Sequence, residues 1–226
     1  MINQMKNYKR IEKEFWTSKQ RQGCSIHEVS YRACFKPQLP KYFIEKYTKE
    51  GDFVYDPFGG RGTTAIEAAL LGRNFITNDI NPLSTLFVIG RLNPPSIEEI
   101  RDRLYSEIKS DTFIDKIDLS MFYEYETLKE INDLRNYFIT KKAKNYDNID
   151  HWIRMVATNR LTGHSKGFFS VYTLPPNQAT SAKRQIQINL KRNQKPEYKD
   201  TKEIIIKKSK QLLRNISDQQ IENLDK

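Results

Sequence analysis

Short apolar runs alternate with helix-spaced stripes in the first hundred residues, and the order of the two predicts the fold. Residues 53–55, Phe-Val-Tyr, form an apolar run between Asp52 and Asp56, the pattern of a short parallel strand covered on both faces. Gly59, Gly60 and Gly62 follow, and an alanine-rich segment then predicts a helix to about Leu71. Thr63 or Thr64 can cap it, with Glu67 at capping-box spacing from Thr64, and Gly72 stops it. Residues 74–78, NFITN, read as a second strand that ends on Asp79. Strand, glycine loop, helix, strand and acid make half of a doubly wound nucleotide-binding fold. Upstream, Leu39, Tyr42, Phe43 and Tyr47 recur near the 3.6 period, predicting a helix that packs on this sheet and ends near Lys49.

Beyond the second strand the pattern turns helical. Residues 83–90 predict a buried helix after the Asn81-Pro82 turn, ended by Pro94-Pro95, and Ser96 with Glu99 forms a capping box for a helix to about Ile108. Leu128, Ile131, Leu134 and Phe138 share one stripe, and Ile149, Trp152, Ile153 and Val156 another, both read as core packing. Only residues 168–172 resemble a further strand, and Ile204, Ile205, Ile206, Leu212 and Leu213 give the last helix an apolar side. The chain therefore divides into a polar arm (1–25, with Phe15 and Trp16 its bulky pair), an α/β region (26–95) and a mainly helical region (96–226).

Charge adds a partner class. With 38 Lys and Arg against 28 Asp and Glu, the net charge is +10 and the pI about 9.4, which favours polyanions, nucleic acid ahead of a membrane surface. Lys183, Arg184, Lys191, Arg192 and Lys195 lie in the most basic stretch; phosphate contact and a merely solvated face are both open there. Cys24 and Cys34 are too few for a disulfide framework or a thiolate zinc site. His27, His151 and His164 are widely separated, so no metal is expected. Without an apolar run of 18 residues or an apolar N-terminal signal, the expectation is a soluble, cytoplasmic protein.

The glycine loop narrows the ligand. A phosphate-gripping P-loop needs Gly-Lys-Ser/Thr, where this chain has Gly62-Thr63-Thr64, and the dinucleotide pattern G-x-G-x-x-G is not matched either. Asp56 stands directly before the loop. A carboxylate there would repel a pyrophosphate and suits a cationic cofactor with an amino-acid portion.

Residues 56–64, DPFGGRGTT, resemble the methionine-binding motif DPF-G/A-G-x-G-T/S-T of the amino-methylating DNA methyltransferases. That family transfers a methyl group from S-adenosyl-L-methionine (SAM) to adenine N6 or cytosine N4. The resemblance implies a Rossmann-like α/β methyltransferase core with a helical basic extension, DNA as partner, and a restriction-modification setting. It assigns Asp56, Pro57, Gly59, Gly60 and Gly62 to the methionine end, Phe58 to packing against the cofactor, and Thr63 and Thr64 to the helix start beside the carboxylate. Asp79 takes the ribose hydroxyls and Ile80 the adenine. Phe35, Pro37 and Gln38, within FKPQLP, resemble the element that completes the methionine pocket. Singly, Asp79 reads as a strand-end cap, Phe58 as core, and Pro37 and Pro40 as turn residues; the order of the three pieces carries the resemblance.

The family's catalytic tetrapeptide, D/N/S-P-P-Y/F/W, activates the exocyclic amine of a flipped base. Asn93-Pro94-Pro95-Ser96 lacks the aromatic and is explained by helix capping, and Leu174-Pro175-Pro176-Asn177 lacks both the polar first residue and the aromatic. No catalytic residue is assigned, and the core is expected to be incomplete, with the tetrapeptide on a second polypeptide or a missing part. RNA methylation and a non-catalytic SAM- and nucleic-acid-binding subunit are the alternatives.

Overall fold

A computed structural model describes residues 10–14, 23–31, 34–109, 117–174 and 180–225. Phe15, Trp16 and most of the second tetrapeptide candidate (175–177) lie outside the described residues. The sheet consists of two parallel strands, β1 (Phe53–Asp56) and β2 (Asn74–Thr77), in register from Phe53 opposite Asn74 to Asp56 opposite Thr77 among the described residues. Helix α2 (Thr63–Leu70) connects them and packs on both. Its Ala65, Ile66, Ala68, Ala69 and Leu70 are buried, so its small side chains bring helix and sheet close together.

Only one face of the sheet is covered. Phe53, Tyr55 and Ile76 on the opposite face are 69%, 63% and 55% exposed, which corrects the expectation of a strand covered on both sides. Among the described residues the sheet has two strands, and no helix is packed over that face to shield it. Helix α1 (Gln38–Tyr47) forms where expected and packs on α2. Its buried residues are Pro40 and Ile44, while Phe43 and Tyr47 stand in solvent, so the predicted stripe is rotated by a residue.

The capping of α2 also differs from expectation. Gly62 occupies the N-cap in the left-handed conformation (φ 79°), and neither threonine caps the helix. Glu67 turns to the buried His27, whose Nε2 lies 2.8 Å from its Oε2.

Most of the remaining helices pack on one another. Asn81 caps α3 (Pro82–Ile89) by accepting from the Leu83 amide, and Ser96 with Glu99 boxes α4 (Ile97–Asp102), which runs on as a π turn through Arg103–Glu107. Helix α5 (Tyr125–Lys141) buries Leu134 and Phe138, and α6 (Asn148–Arg160) buries Trp152, Ile153, Met155 and Val156. Residues 168–172 are not a strand. Phe169 donates to the Arg160 carbonyl and Val171 to that of Phe122, leaving a single bridge between Gly163 and Tyr172. The chain then forms α7 (Ala182–Arg192), α8 (Thr201–Leu213) and α9 (Asp218–Asp225). The pattern did not predict α9, which lies against α2, with Leu224 buried and the Asn223 amide donating to Leu70. One hydrophobic cluster runs from Ile26 through Trp152 and Ile205 to Leu224. Among the described residues no helix is long and apolar enough to cross a membrane.

Candidate cofactor site

The site lies at the carboxyl ends of β1 and β2, the end at which parallel α/β sheets receive ligands. Asp56 and Thr77 are the last residues of the two strands and are in register, so the glycine loop and the segment 78–81 leave the sheet side by side. The loop is held from within. Asp56 Oδ1 accepts from the Phe58 amide at 3.0 Å, the Gly59 amide donates to the Asn78 carbonyl at 2.9 Å, and that of Gly62 to the Gly59 carbonyl at 2.7 Å.

Asp79 fastens the two loops together. Its Oδ2 accepts from the Gly60 amide and its Oδ1 from that of Asn81, both at 2.8 Å. These bonds stabilise the ionised form and hold its pKa below the usual value, the Asn81 bond most strongly. Asp79 thus acts as a strand-end anchor in this structure and still presents a carboxylate at the mouth of the loop.

Two glycines are required by space as well as by conformation. A Cβ on Gly59 would lie under 3.0 Å from Thr77 Oγ1, and one on Gly62 equally close to Val88 Cγ2. Gly60 and Gly62 also have positive φ, 53° and 79°. Phe58 and Ile80 project from the two loops, 86% and 101% exposed. A narrow backbone cradle with an acid at its mouth and two unsatisfied apolar side chains beside it fits a cofactor with a charged end and an aromatic base.

The other predicted residues are distributed unevenly. Thr63 is buried and accepts from Arg61 Nε at 3.1 Å, whereas Thr64 lines an apolar groove with Phe35, Leu39, Phe43 and Val54. Phe35 reaches the loop through its carbonyl, 3.5 Å from Arg61 Nη2. Pro37 is buried at the start of α1, and Gln38 leaves its Oε1 buried without a partner. Among the described residues no hydrogen bond joins either to the glycine loop. Asn93-Pro94-Pro95-Ser96 is the turn before α4, away from both strand ends, with the Asn93 amide donating to Leu224.

Arg61, Arg91 and Tyr31 support the site and were missed from the sequence. Arg61 Nη1 donates to the Val29 carbonyl at 2.9 Å, tying the segment before α1 to the loop. Arg91 is fully buried beneath, donating to the carbonyls of Phe87, Ile26 and Arg61; burial, with the neighbouring Arg61 charge adding to it, pulls its pKa down to about 9. The Tyr31 hydroxyl accepts from Asn81 Nδ2 at 2.8 Å, and its ring passes within 3.5 Å of where a Gly60 Cβ would lie. Arg61 was signalled by its place inside the loop. Arg91 and Tyr31 carry no local signal, because each acts on the loop from a different stretch of chain.

Residues 2–84 match a family model described as DNA methylase, and the match ends just beyond the Asn81-Pro82 turn. The front of this chain is homologous to the type II DNA methyltransferases. It is 50% identical over 72 residues to the type II methyltransferase M2.DpnII of Streptococcus pneumoniae, covering 30% of this chain and 25% of that protein. It is 34% identical over 77 residues to M.MjaII of Methanocaldococcus jannaschii, covering 34% and 14%, and 30% identical over 127 residues to M.MvaI of Kocuria varians, covering 55% and 25%. The chain thus spans between 14% and 25% of the length of these relatives. No solved structure matches it significantly.

Proposed function

We propose that this chain is the SAM-binding part of a site-specific DNA methyltransferase that methylates an exocyclic amine, adenine N6 or cytosine N4. The observation that supports it most is the DPFGGRGTT loop at the end of β1, tied to Asp79 at the end of β2 within the segment homologous to DNA methylases. When bound, SAM supplies a methyl group on a sulfonium, open to direct attack by the base nitrogen without a covalent protein intermediate.

The protein's own residues bind and orient. Gly59 and Gly62 let the loop close onto Thr77 and Val88, where a Cβ would not fit, and Gly60 takes the positive φ of the turn, which sets the backbone that lies against the methionine end. Asp56, besides fixing the turn, places negative potential near a cationic ligand. Asp79 serves the ribose hydroxyls, which compete for or share its bonds to Gly60 and Asn81. Phe58 and Ile80 lose their exposure against the cofactor, Ile80 against the adenine. Thr63 and Thr64 stand at the helix start, Phe35 closes the near side through its tie to Arg61, and Pro37 and Gln38 shape the start of α1 behind it.

DNA is the proposed nucleic-acid partner. Lys183, Arg184, Lys191, Arg192 and Lys195 are exposed on and just after α7. Such residues give affinity through phosphates without reading sequence. Arg192 is also stacked over the Tyr172 ring, 3.8 Å from its centroid, so it fixes α7 to the body as well. The amine-activating tetrapeptide is expected outside these residues, on a second polypeptide or on another part of the same protein. Methyl transfer to mixed-sequence duplex DNA, measured with labelled SAM, tests the reading: label in DNA bases only when both chains are present supports it. Label in RNA alone points to RNA as substrate, and SAM binding with no transfer in any mixture leaves a binding subunit.

A further inference from the structure

Helices α5 and α6 are joined by a short connection at residues 142–147, and both pack on α8. Between them lies a cavity of about 540 Å3, inside the range of roughly 300–1,000 Å3 typical of small-molecule sites. It shares no residue with the cofactor loops. Leu134 and Phe138 of α5, Ala157 of α6 and Phe169 beyond it are buried and make its floor apolar. Ile139 lines it too and is 61% exposed, which marks the mouth. Ala143 and Tyr146 of the connection stand at one end, and Leu161 and Phe169, past the last turn of α6, at the other. A partner's helix or strand lies along a groove and would run into these ends, so the shape favours a compact molecule.

The charge on the wall is one-sided. Arg135, Lys142 and Arg154 line the cavity and are exposed, and no acidic side chain lines it. Among the described residues none of the three forms an ion pair. Arg154 lies instead over the Tyr146 ring, 5.6 Å from its centroid. Lys142 is held at φ 62° and ψ 139°, a conformation that residues other than glycine rarely adopt and that recurs where ligands are clamped. Hydrogen-bonding capacity on the wall is small. The Tyr146 hydroxyl already donates to the Phe138 carbonyl at 2.5 Å, which leaves the Thr158 hydroxyl. A nucleobase or sugar would bury polar edges there without partners, whereas a hydrocarbon or aryl body has none to lose.

We propose that the cavity between α5 and α6 binds an organic anion with an aromatic or hydrocarbon body. The body lies against Leu134, Phe138 and Phe169, and the anionic group meets Arg135, Lys142 and Arg154. At about 30 Å3 for each water displaced, the cavity has room for roughly 18, and so for a body of about that many non-hydrogen atoms. The inference does not depend on the methyltransferase reading.

Fluorescence titration of the purified chain with anilinonaphthalene sulfonate tests it, beside uncharged phenylnaphthylamine, which has the same rings without the sulfonate. The expected result is saturable one-to-one binding of the sulfonate, at least tenfold tighter than that of the uncharged amine. Arg135→Gln and Ile139→Glu change exposed side chains and should each weaken it at least fivefold, with the unfolding midpoint near the parent's. Lys142→Gly removes a charge and relaxes the backbone at once, so it should weaken binding without lowering the midpoint. No saturable binding, equal affinity for the uncharged amine, or indifference to Arg135→Gln and Ile139→Glu overturns the proposal. Displacement of the dye by SAM would put it in the cofactor loop, and displacement by short duplex DNA would make the three cations phosphate contacts; either result also overturns it.

Discussion

Gly62→Ala tests whether the loop is built by space and conformation together. At φ 79° an alanine pays the left-handed penalty, about 1–2 kcal/mol. Its Cβ would also lie under 3.0 Å from Val88 Cγ2, and Val88 is buried. Relieving such an overlap in a packed core costs about 1–3 kcal/mol more, so the substitution is expected to cost roughly 2–5 kcal/mol in all. Gly51 supplies the reference. Its φ is 83° with nothing within 4 Å of an added Cβ, so Gly51→Ala should cost only the conformational part, about 1–2 kcal/mol. In a Val88→Ala background the overlap with Cγ2 disappears and only the milder approach to Arg91 Nη2, at 3.2 Å, remains, so Gly62→Ala should fall most of the way to the Gly51→Ala value, a coupling of about 1–3 kcal/mol between positions 62 and 88. Urea unfolding of the four members of the cycle, with Gly51→Ala beside them, measures it. Equal costs for Gly62→Ala and Gly51→Ala in the parent, or no coupling to Val88, would refute the reasoning.

Gly59→Ala, directed at Thr77, should weaken SAM binding more than tenfold, and adding Thr77→Ala should restore part of it in the same titration; binding untouched by Gly59→Ala would count against a tight cradle. Burial is the main influence on His27 and pushes its pKa below the usual value despite the Glu67 bond. The unfolded chain therefore binds that proton more readily, and stability should fall as pH drops through about 6.5. His27→Gln keeps a donor to Glu67 and should flatten this part of the profile; an unchanged slope in denaturant unfolding across pH 5 to 7.5, a range about the ordinary histidine value, argues against it. Asp150 is fully buried and accepts from Arg103 and Lys141, both at 2.6 Å, and from the Tyr137 hydroxyl at 2.9 Å. Asp150→Asn should cost about 3 kcal/mol, the low end for breaking a buried pair because Lys141 keeps access to water; a loss below about 1 kcal/mol would show the network contributes little. Lys183→Ala with Lys191→Ala should weaken duplex binding equally on unrelated sequences and reduce the salt slope by about one for each phosphate no longer neutralised. A sequence-dependent loss would refute phosphate binding there.

The front half of the fold was legible because its signals are local. The strand, glycine loop, helix and strand occupy consecutive residues, and the capping box at Ser96 formed as read. Legibility failed where a distant residue won a local competition. Glu67 had capping-box spacing, but a buried histidine forty residues upstream offered it a better partner. Residues 168–172 looked like a strand, but found their hydrogen bonds at the end of α6 and in the loop at Phe122. The period along α1 was right, yet an apolar pattern identifies a face without saying whether anything covers it, and Phe43 and Tyr47 face solvent. The same limit hid the bare sheet face, since Phe-Val-Tyr reads alike whether covered on one side or two. Of the site, the glycine loop and Asp79 were visible, and Arg91 and Tyr31 were not, because their contacts exist only after folding.

The central claim is that the loop at the end of β1 holds SAM. Calorimetric titration of the purified chain with SAM, beside Gly60→Leu and Asp56→Ala, tests it most directly. Saturable one-to-one binding by the parent, abolished in both variants, is expected. Equal affinity in all three proteins, or no binding by a parent chain with a cooperative unfolding transition, would contradict it.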